Sequence, residues 1–144
     1  MEDALDVGTG TGAGARAIAR RFPDARVTGI DVAPAMVDEA RRLLPADLTD
    51  QVSFREGDAA KLPFEAASFD LVAHANMIPF LDEVARVLRR GGWTVFAFSS
   101  GRETPIYVSP ERLQRELARR GFTQFAEITA ARGNAVLARR GDAL

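Results

Sequence analysis

Three acids stand in or at the end of short apolar runs: Asp6 in Ala4-Leu5-Asp6-Val7, Asp31 after Val27-Thr28-Gly29-Ile30, and Asp58 after Val52-Ser53-Phe54. A glycine-dense turn, Gly8-Thr9-Gly10-Thr11-Gly12-Ala13-Gly14, follows the first run. A helical pattern with Ala17, Ile18 and Phe22 on one side follows the turn. Strand, tight turn and helix in that order open a nucleotide-binding βαβ unit. Glycine accepts positive φ and lets the backbone approach a ligand closely. The free N–H groups at the start of the next helix attract an anionic group.

The glycine run also fits the dinucleotide pattern G-x-G-x-x-G/A, read on Gly8, Gly10 and Ala13, so a nicotinamide dinucleotide stays open at this point. The acids narrow the choice. Asp6, two residues before Gly8, gives nothing to a pyrophosphate but suits a ligand with a cationic amino group. Asp31, at a strand tip, can accept from both hydroxyls of a ribose. The ligand implied has an adenosine-like ribose and a zwitterionic end, a description that S-adenosylmethionine fits. His74 is the only histidine. Its place at the end of the fourth strand-like run makes it the candidate general base, with Phe80 and Tyr107 lining an acceptor site beside it. The plainer alternative for His74 is a polar loop residue, or one that holds the cofactor through its backbone.

Elements that would place these residues follow in order. Strands are expected at Ala4–Val7, at Ala25–Asp31, at Val52–Arg55, at Phe69–Ala73 and at Trp93–Phe98. Helices are expected from Gly12 to Arg21 and from Pro34 to Leu44, the second turning Met36, Val37, Ala40, Leu43 and Leu44 inward. A third carries Leu81, Val84, Val87 and Leu88, with Gly91-Gly92 as its C-cap. Ser109-Pro110-Glu111 reads as an N-cap, a first-turn proline and a first-turn acid for a last helix ending at Gly121. Phe122–Thr129 and Asn134–Arg139 then read as a hairpin turning at Ala131-Arg132-Gly133. The result is an α/β, Rossmann-like, doubly wound and mostly parallel seven-stranded sheet with an antiparallel C-terminal hairpin strand.

Bulk properties exclude several classes. With 144 residues, 47% apolar and 27% charged, one soluble globular domain spanning the chain is expected. The absence of cysteine excludes disulfides and thiolate metal sites, and no metal is expected. No apolar run reaches the roughly 18 residues of a membrane span, and no signal peptide precedes the first strand, so a cytoplasmic location is expected. A net charge of −1 gives no general attraction to nucleic acid or membrane. The arginine pairs 20-21, 41-42, 89-90 and 119-120 read as helix-end complements to the dipole. One lysine, Lys61, beside 18 arginines points to a GC-rich, bacterial genome and says nothing about function.

Taken together these segments resemble the class I S-adenosylmethionine-dependent methyltransferases. Leu5-Asp6-Val7-Gly8-Thr9-Gly10-Thr11-Gly12 is similar to the family's first motif, and Gly29-Ile30-Asp31-Val32-Ala33-Pro34-Ala35-Met36 to its ribose-binding strand end, with Ala33 in place of a serine cap. Glu56-Gly57-Asp58-Ala59-Ala60-Lys61-Leu62-Pro63-Phe64 resembles the segment whose acid meets the adenine amino group. Phe69-Asp70-Leu71-Val72 resembles the fourth strand. Glu83 to Gly92 resembles the E-h-x-R-V-L-x-P-G-G stretch, with Arg90 where proline is usual. The resemblance implies roles. Asp6 would lie near the methionine end, through its amino group or a bound water. Gly8, Thr9 and Gly10 would line the cradle, and Asp31 would hold the ribose. Val32 and Met36 would pack on adenine, Asp58 would accept from adenine N6, and the Ala59 N–H would donate to a ring nitrogen.

Three functions stay open. The first is an S-adenosylmethionine-dependent methyltransferase acting on an acceptor, most simply a small molecule, with S-adenosylhomocysteine as product. The second is a module that binds either compound without turnover, as part of a larger assembly. The third is a nicotinamide oxidoreductase. Family members of this kind carry lid helices before the first motif and a long insertion after strand five; this sequence starts close to strand one and has only a short stretch from Ser99 to Ser109. Part of one sheet face is therefore expected to be uncovered and apolar, favouring a homodimer or a partner chain over the open site.

Overall fold

The computed structural model describes residues 1–142. Seven strands form one sheet: β1 (Asp3–Val7), β2 (Arg26–Asp31), β3 (Val52–Glu56), β4 (Phe69–Ala75), β5 (Leu88–Phe98), β6 (Phe122–Ala130) and β7 (Gly133–Arg140). Their order is β3-β2-β1-β4-β5-β7-β6. The first five pair in parallel, and β7 runs antiparallel between β5 and β6. This is the expected architecture. The winding reverses beside β1, which pairs with β2 on one side and β4 on the other. A crevice at the carboxyl ends of β1 and β4 is where such a sheet receives ligands.

Helices α1 (Ala13–Arg21) and α2 (Pro34–Leu43) cover one face, and α3 (Leu81–Val87) and α4 (Pro110–Ala118) cover the other. Ala15 and Ala19 of α1 and Val37 and Ala40 of α2 pack on Val27, Val52 and Phe54. On the opposite face Val84 and Val87 of α3 and Leu113 and Leu117 of α4 join Leu5, Val72, Phe96 and Phe98. The α4 start is as expected: the Ser109 hydroxyl accepts from the Arg112 N–H at 3.2 Å, with Pro110 at the first helical position.

Five local expectations are corrected. The third helix stops at Val87; Leu88 to Arg90 already belong to β5, where Leu88 pairs with Phe69. Gly91, at φ +81°, therefore lies in a strand irregularity between the Phe69 and Leu71 pairings and is not a helix cap. Arg89 is likewise no helix-end residue: its guanidinium lies 3.0 Å from Asp3 and 3.1 Å from Asp70, closing the lower ends of β1 and β4. Met36 and Leu43 of α2 are exposed while Val37 and Ala40 are buried, because a helix on the outer strands buries only one narrow stripe. Finally, β4 continues to Ala75, which places His74 inside the sheet.

The helices α1 and α2 stop short of half their face. Register puts Leu71, Trp93, Val95, Leu137 and Ile128, with Ala73, Ala97 and Ala135 between them, on one side of β4, β5, β7 and β6. Trp93, Val95 and Leu137 are only partly buried and Ile128 is 55% exposed. The expected open apolar face is present.

Candidate functional site

The glycine loop sits at the tip of β1. Its shape is fixed from below by Asp6, which is buried at 4% exposure. The Thr9 hydroxyl donates to Asp6 Oδ2 at 2.8 Å, and the Ala15 N–H in the first turn of α1 also donates to this carboxylate. Since α1 has no side-chain cap and no acid in its first turn, Asp6 supplies from the strand the negative charge that a helix start favours. Burial pushes the Asp6 pKa up from 3.8 to about 6, and the bonds from Thr9 and Ala15 oppose that rise. Thr9 therefore turns its side chain inward, and only its backbone can face a ligand. Its N–H is also taken, donating to Ile30 O at 2.8 Å.

This packing leaves no room at Gly29 of β2. A Cβ there would lie 2.6 Å from Thr9 Oγ1 and 2.7 Å from the Phe54 ring. We expect Gly29→Ala to force Thr9 off Asp6 and cost about 1–3 kcal/mol, the usual penalty of overpacking, measured as a drop in the urea midpoint.

Asp31, at the tip of β2, reaches the loop from the side. Its Oδ2 accepts from the Gly10 N–H at 2.9 Å and its Oδ1 from the Ala33 N–H at 3.0 Å. Gly10, at φ +55°, has nothing within 4 Å of where a Cβ would sit, so the space above it is open. Val32, 74% exposed, and the partly exposed Met36 stand beside Asp31 as apolar surfaces without a protein neighbour to cover them. Asp58 lies at the end of the next connection. It is exposed, its Oδ1 accepts from the Ala60 N–H at 2.9 Å, and it pairs across a tight bend with Lys61. Ala59 packs half-buried on the core beside it. Together these groups make a cradle open above Gly10, with Asp31 at its side and two exposed apolar side chains beyond. A ribose and a flat apolar ring fit these features.

Met77, in the connection after β4, closes the near end. A Cβ on Gly8, at φ +69°, would lie 2.3 Å from the Met77 sulfur, so this side chain rests directly on the loop. Asn76, at φ +55°, redirects the chain here; its amide oxygen accepts from the Ser99 N–H at 2.9 Å and the Ser99 hydroxyl at 3.2 Å, joining the tips of β4 and β5.

His74 is not in this cradle. It is 3% exposed, stacked on Phe96 with ring centroids 4.2 Å apart, and its Nδ1 lies 3.1 Å from Val95 O. Burial lowers its pKa to about 4, against the opposing effect of the Val95 contact, so it is neutral at neutral pH. The expected acceptor cluster does not form either. Phe80 lines a cavity of about 510 Å³ with Val108 and Arg112, whereas Tyr107 packs edge-on against Phe98 and borders a different cavity.

Two positioning residues were legible only as letters of a pattern. Glu83 Oε1 accepts from the Leu62 N–H at 2.7 Å, while the Arg86 guanidinium donates to Phe64 O at 2.7 Å, to Leu62 O at 3.0 Å and to Glu83. This pair on α3 clamps the connection that carries Asp58. The acid–arginine spacing of three on a helix was the available signal.

Comparison with known proteins agrees with this geometry. A family model described as "Methyltransferase domain" matches residues 4–92. A fatty-acid O-methyltransferase of Mycolicibacterium smegmatis is 39% identical over 114 residues, covering 74% of this chain and 39% of that protein. A demethylmenaquinone methyltransferase of Deinococcus radiodurans is 40% identical over 95 residues, covering 61% of this chain and 39% of that protein. The chain thus spans about two fifths of the length of these curated relatives. Among solved structures, phosphoethanolamine N-methyltransferase 2 of Haemonchus contortus, in complex with S-adenosyl-L-methionine, superposes with a TM-score of 0.82 at 17% identity, over 97% of this chain and 49% of that one; this likeness is one of fold. With the domain match running from β1 into β5, and the strand order and glycine loop described above, the chain belongs to the class I S-adenosylmethionine-dependent methyltransferase family.

Proposed function

We propose that this chain binds S-adenosylmethionine in the β1–β2 cradle and transfers its methyl group to a small, largely apolar acceptor. The observation that carries the reading is the pairing of Asp31 with the glycine loop beneath an open space. Asp31 would hold the ribose hydroxyls, Val32 and Met36 the adenine faces, and Asp58 and the Ala59 N–H the adenine edge. Gly8, Thr9 and Gly10 would face the ligand through their backbone, with Asp6 behind them. When bound, S-adenosylmethionine supplies a methyl group on a sulfonium with a neutral thioether as leaving group. The protein's share is then to hold the acceptor in line and exclude water, which needs no oxyanion hole. His74 is buried, and a base is needed only for an acceptor that keeps its proton until attack. The antiparallel β7 and the family match weigh against a nicotinamide cofactor.

The acceptor class rests on the relatives, whose names specify a fatty acid and a demethylmenaquinone. The test is incubation with methyl-tritiated S-adenosylmethionine and a panel holding a medium-chain fatty acid and a demethylated quinol, followed by organic extraction. Transfer of label to one of them supports the reading. Cofactor binding with no label extracted from any panel favours the module that binds without turnover.

We also propose that the open face of β4, β5, β7 and β6 is buried against a second copy or a partner chain, since Trp93, Val95, Leu137 and Ile128 on it are apolar and left without a covering helix. In sedimentation velocity the chain should self-associate with rising concentration, and Leu137→Arg should return it to the monomer. A monomer at every concentration, with the face dry to hydrophobic dyes, would count against it.

A further inference from the structure

Gly8 and Gly10 of the β1–α1 loop both adopt positive φ, yet they face different surroundings. Gly10 has nothing within 4 Å of where a Cβ would sit, whereas Gly8 is covered by Met77. A Cβ on Gly8 would lie 2.3 Å from the Met77 sulfur, 2.4 Å from its Cγ and 3.2 Å from its Cε. The whole end of this side chain therefore lies against the Gly8 backbone. While Met77 stays there, no ligand group can touch that side of Gly8.

The segment that carries Met77 is held at its two ends and not between them. At the first end the Asn76 N–H donates to Ala97 O at 2.8 Å, and the Asn76 amide oxygen accepts from Ser99. At the second, Phe80 O accepts from the Glu83 and Val84 N–H groups at 3.1 Å and starts α3. Among the described residues, Met77, Ile78 and Pro79 make no backbone hydrogen bond. Met77 is half-buried and Ile78 is 53% exposed. Asn76, at φ +55°, bends the chain sharply just before Met77, in a conformation uncommon outside glycine. A short stretch with fixed ends, no hydrogen bonds of its own and an exposed apolar side chain is of the kind that opens locally.

Methionine also fills irregular gaps, and Met77 touches the core beneath it. Its place on a cradle glycine gives that contact a second consequence. The Met77 side chain is a thioether, as is the amino-acid arm of S-adenosylhomocysteine, so the Gly8 surface suits either of them in turn.

We propose that Met77 is a plug, which covers the Gly8 end of the cradle in the free protein and swings out on the 76–80 strap when the amino-acid arm of S-adenosylmethionine or S-adenosylhomocysteine enters. This rests on the S-adenosylmethionine reading above. Met77 then lowers the affinity for ligands that carry such an arm, because only the unplugged fraction of the protein accepts them. Ligands without the arm bind beside the plug and do not feel it.

The test uses the full chain with ¹³C-labelled methionine methyl groups, whose three methionines, Met1, Met36 and Met77, give three signals. In the free protein the Met77 methyl should show a nuclear Overhauser contact to the Gly8 α-protons, and saturating S-adenosylhomocysteine should abolish it. Met36, beside Asp31, reports occupancy separately. Calorimetry is the second arm. Met77→Ala should bind S-adenosylhomocysteine about 10-fold more tightly than wild type, equivalent to about 1.4 kcal/mol, since no plug has to be expelled. Adenosine, which has the ribose and ring without the amino-acid arm, should bind wild type and variant equally. A Gly8 contact that persists in the bound protein, an unchanged or weaker affinity in the variant, or an equal gain for adenosine would overturn the plug and leave Met77 as packing. The wild-type spectra decide the matter if the alanine variant does not fold. Binding with the Gly8 contact intact defeats the plug alone. No heat from S-adenosylhomocysteine with either protein, together with an unmoved Met36 signal, defeats the cofactor reading and the plug with it.

Discussion

Asp31→Ala should lose S-adenosylmethionine affinity by about 100-fold or more. Two hydroxyl groups donating to one carboxylate contribute about 1.5–3 kcal/mol each, and every 1.4 kcal/mol is a factor of ten. The side chain also fixes the loop by accepting from the Gly10 and Ala33 N–H groups, so the cradle loses shape together with its ligand contacts. Because Asp31 sits at a half-exposed strand tip, the stability cost should stay near 1 kcal/mol, the net worth of an ordinary hydrogen bond. Asp31→Asn, which keeps one acceptor oxygen, should fall between wild type and alanine. Calorimetric titration beside a urea curve separates the two effects. Unchanged affinity in the alanine variant would remove Asp31 from the site.

The second large effect is a pH dependence hidden by compensation. His74 titrates near 6.5 when unfolded and near 4 when folded, because burial disfavours its charged form. The unfolded chain then binds more protons between those values, so stability is complete above pH 6.5 and falls by about 3 kcal/mol as pH drops toward 4. Asp6 runs the other way. Its folded value near 6 lies above the ordinary 3.8, again through burial. The folded chain binds more protons between the two, so the stability present below 3.8 is lost, also by about 3 kcal/mol, as pH rises to 6. Between pH 4 and 6 the two slopes offset, and wild type should show little net change from this pair. Asp6→Asn should unmask the histidine, with stability rising from pH 4 to 6.5. His74→Phe, which preserves the stack on Phe96, should unmask the aspartate, with stability falling from pH 4 to 6. Denaturant midpoints across that range give both slopes. Parallel profiles for wild type and the two variants would mean that neither group is buried as described.

Much of this was legible in the sequence because it depends on local chemistry. The strand–glycine loop–helix unit, Asp31 at a strand tip, the Ser109-Pro110 helix start and the antiparallel hairpin all follow from residue type and short spacing. The errors have a common origin in contacts between distant segments. Leu88 satisfies the helical spacing of Leu81, Val84 and Val87, yet its burial is equally served by pairing with Phe69 across the sheet, and that pairing wins. His74 looked like a tip residue because nothing nearby in sequence announces Phe96, which arrives from the neighbouring strand and stacks on it. Asp6 is no error of this kind, but its second task, completing the start of α1 from inside the sheet, has no signal in the sequence. Glu83 and Arg86 show the reverse case, a visible spacing whose purpose, clamping the Asp58 connection, needed the fold to be seen.

The most direct test of the central claim is calorimetric titration of the purified chain with S-adenosylmethionine, S-adenosylhomocysteine and NAD. The cradle geometry predicts micromolar binding of the two sulfur compounds and none of the dinucleotide. Binding of NAD alone, or silence from all three, would contradict it.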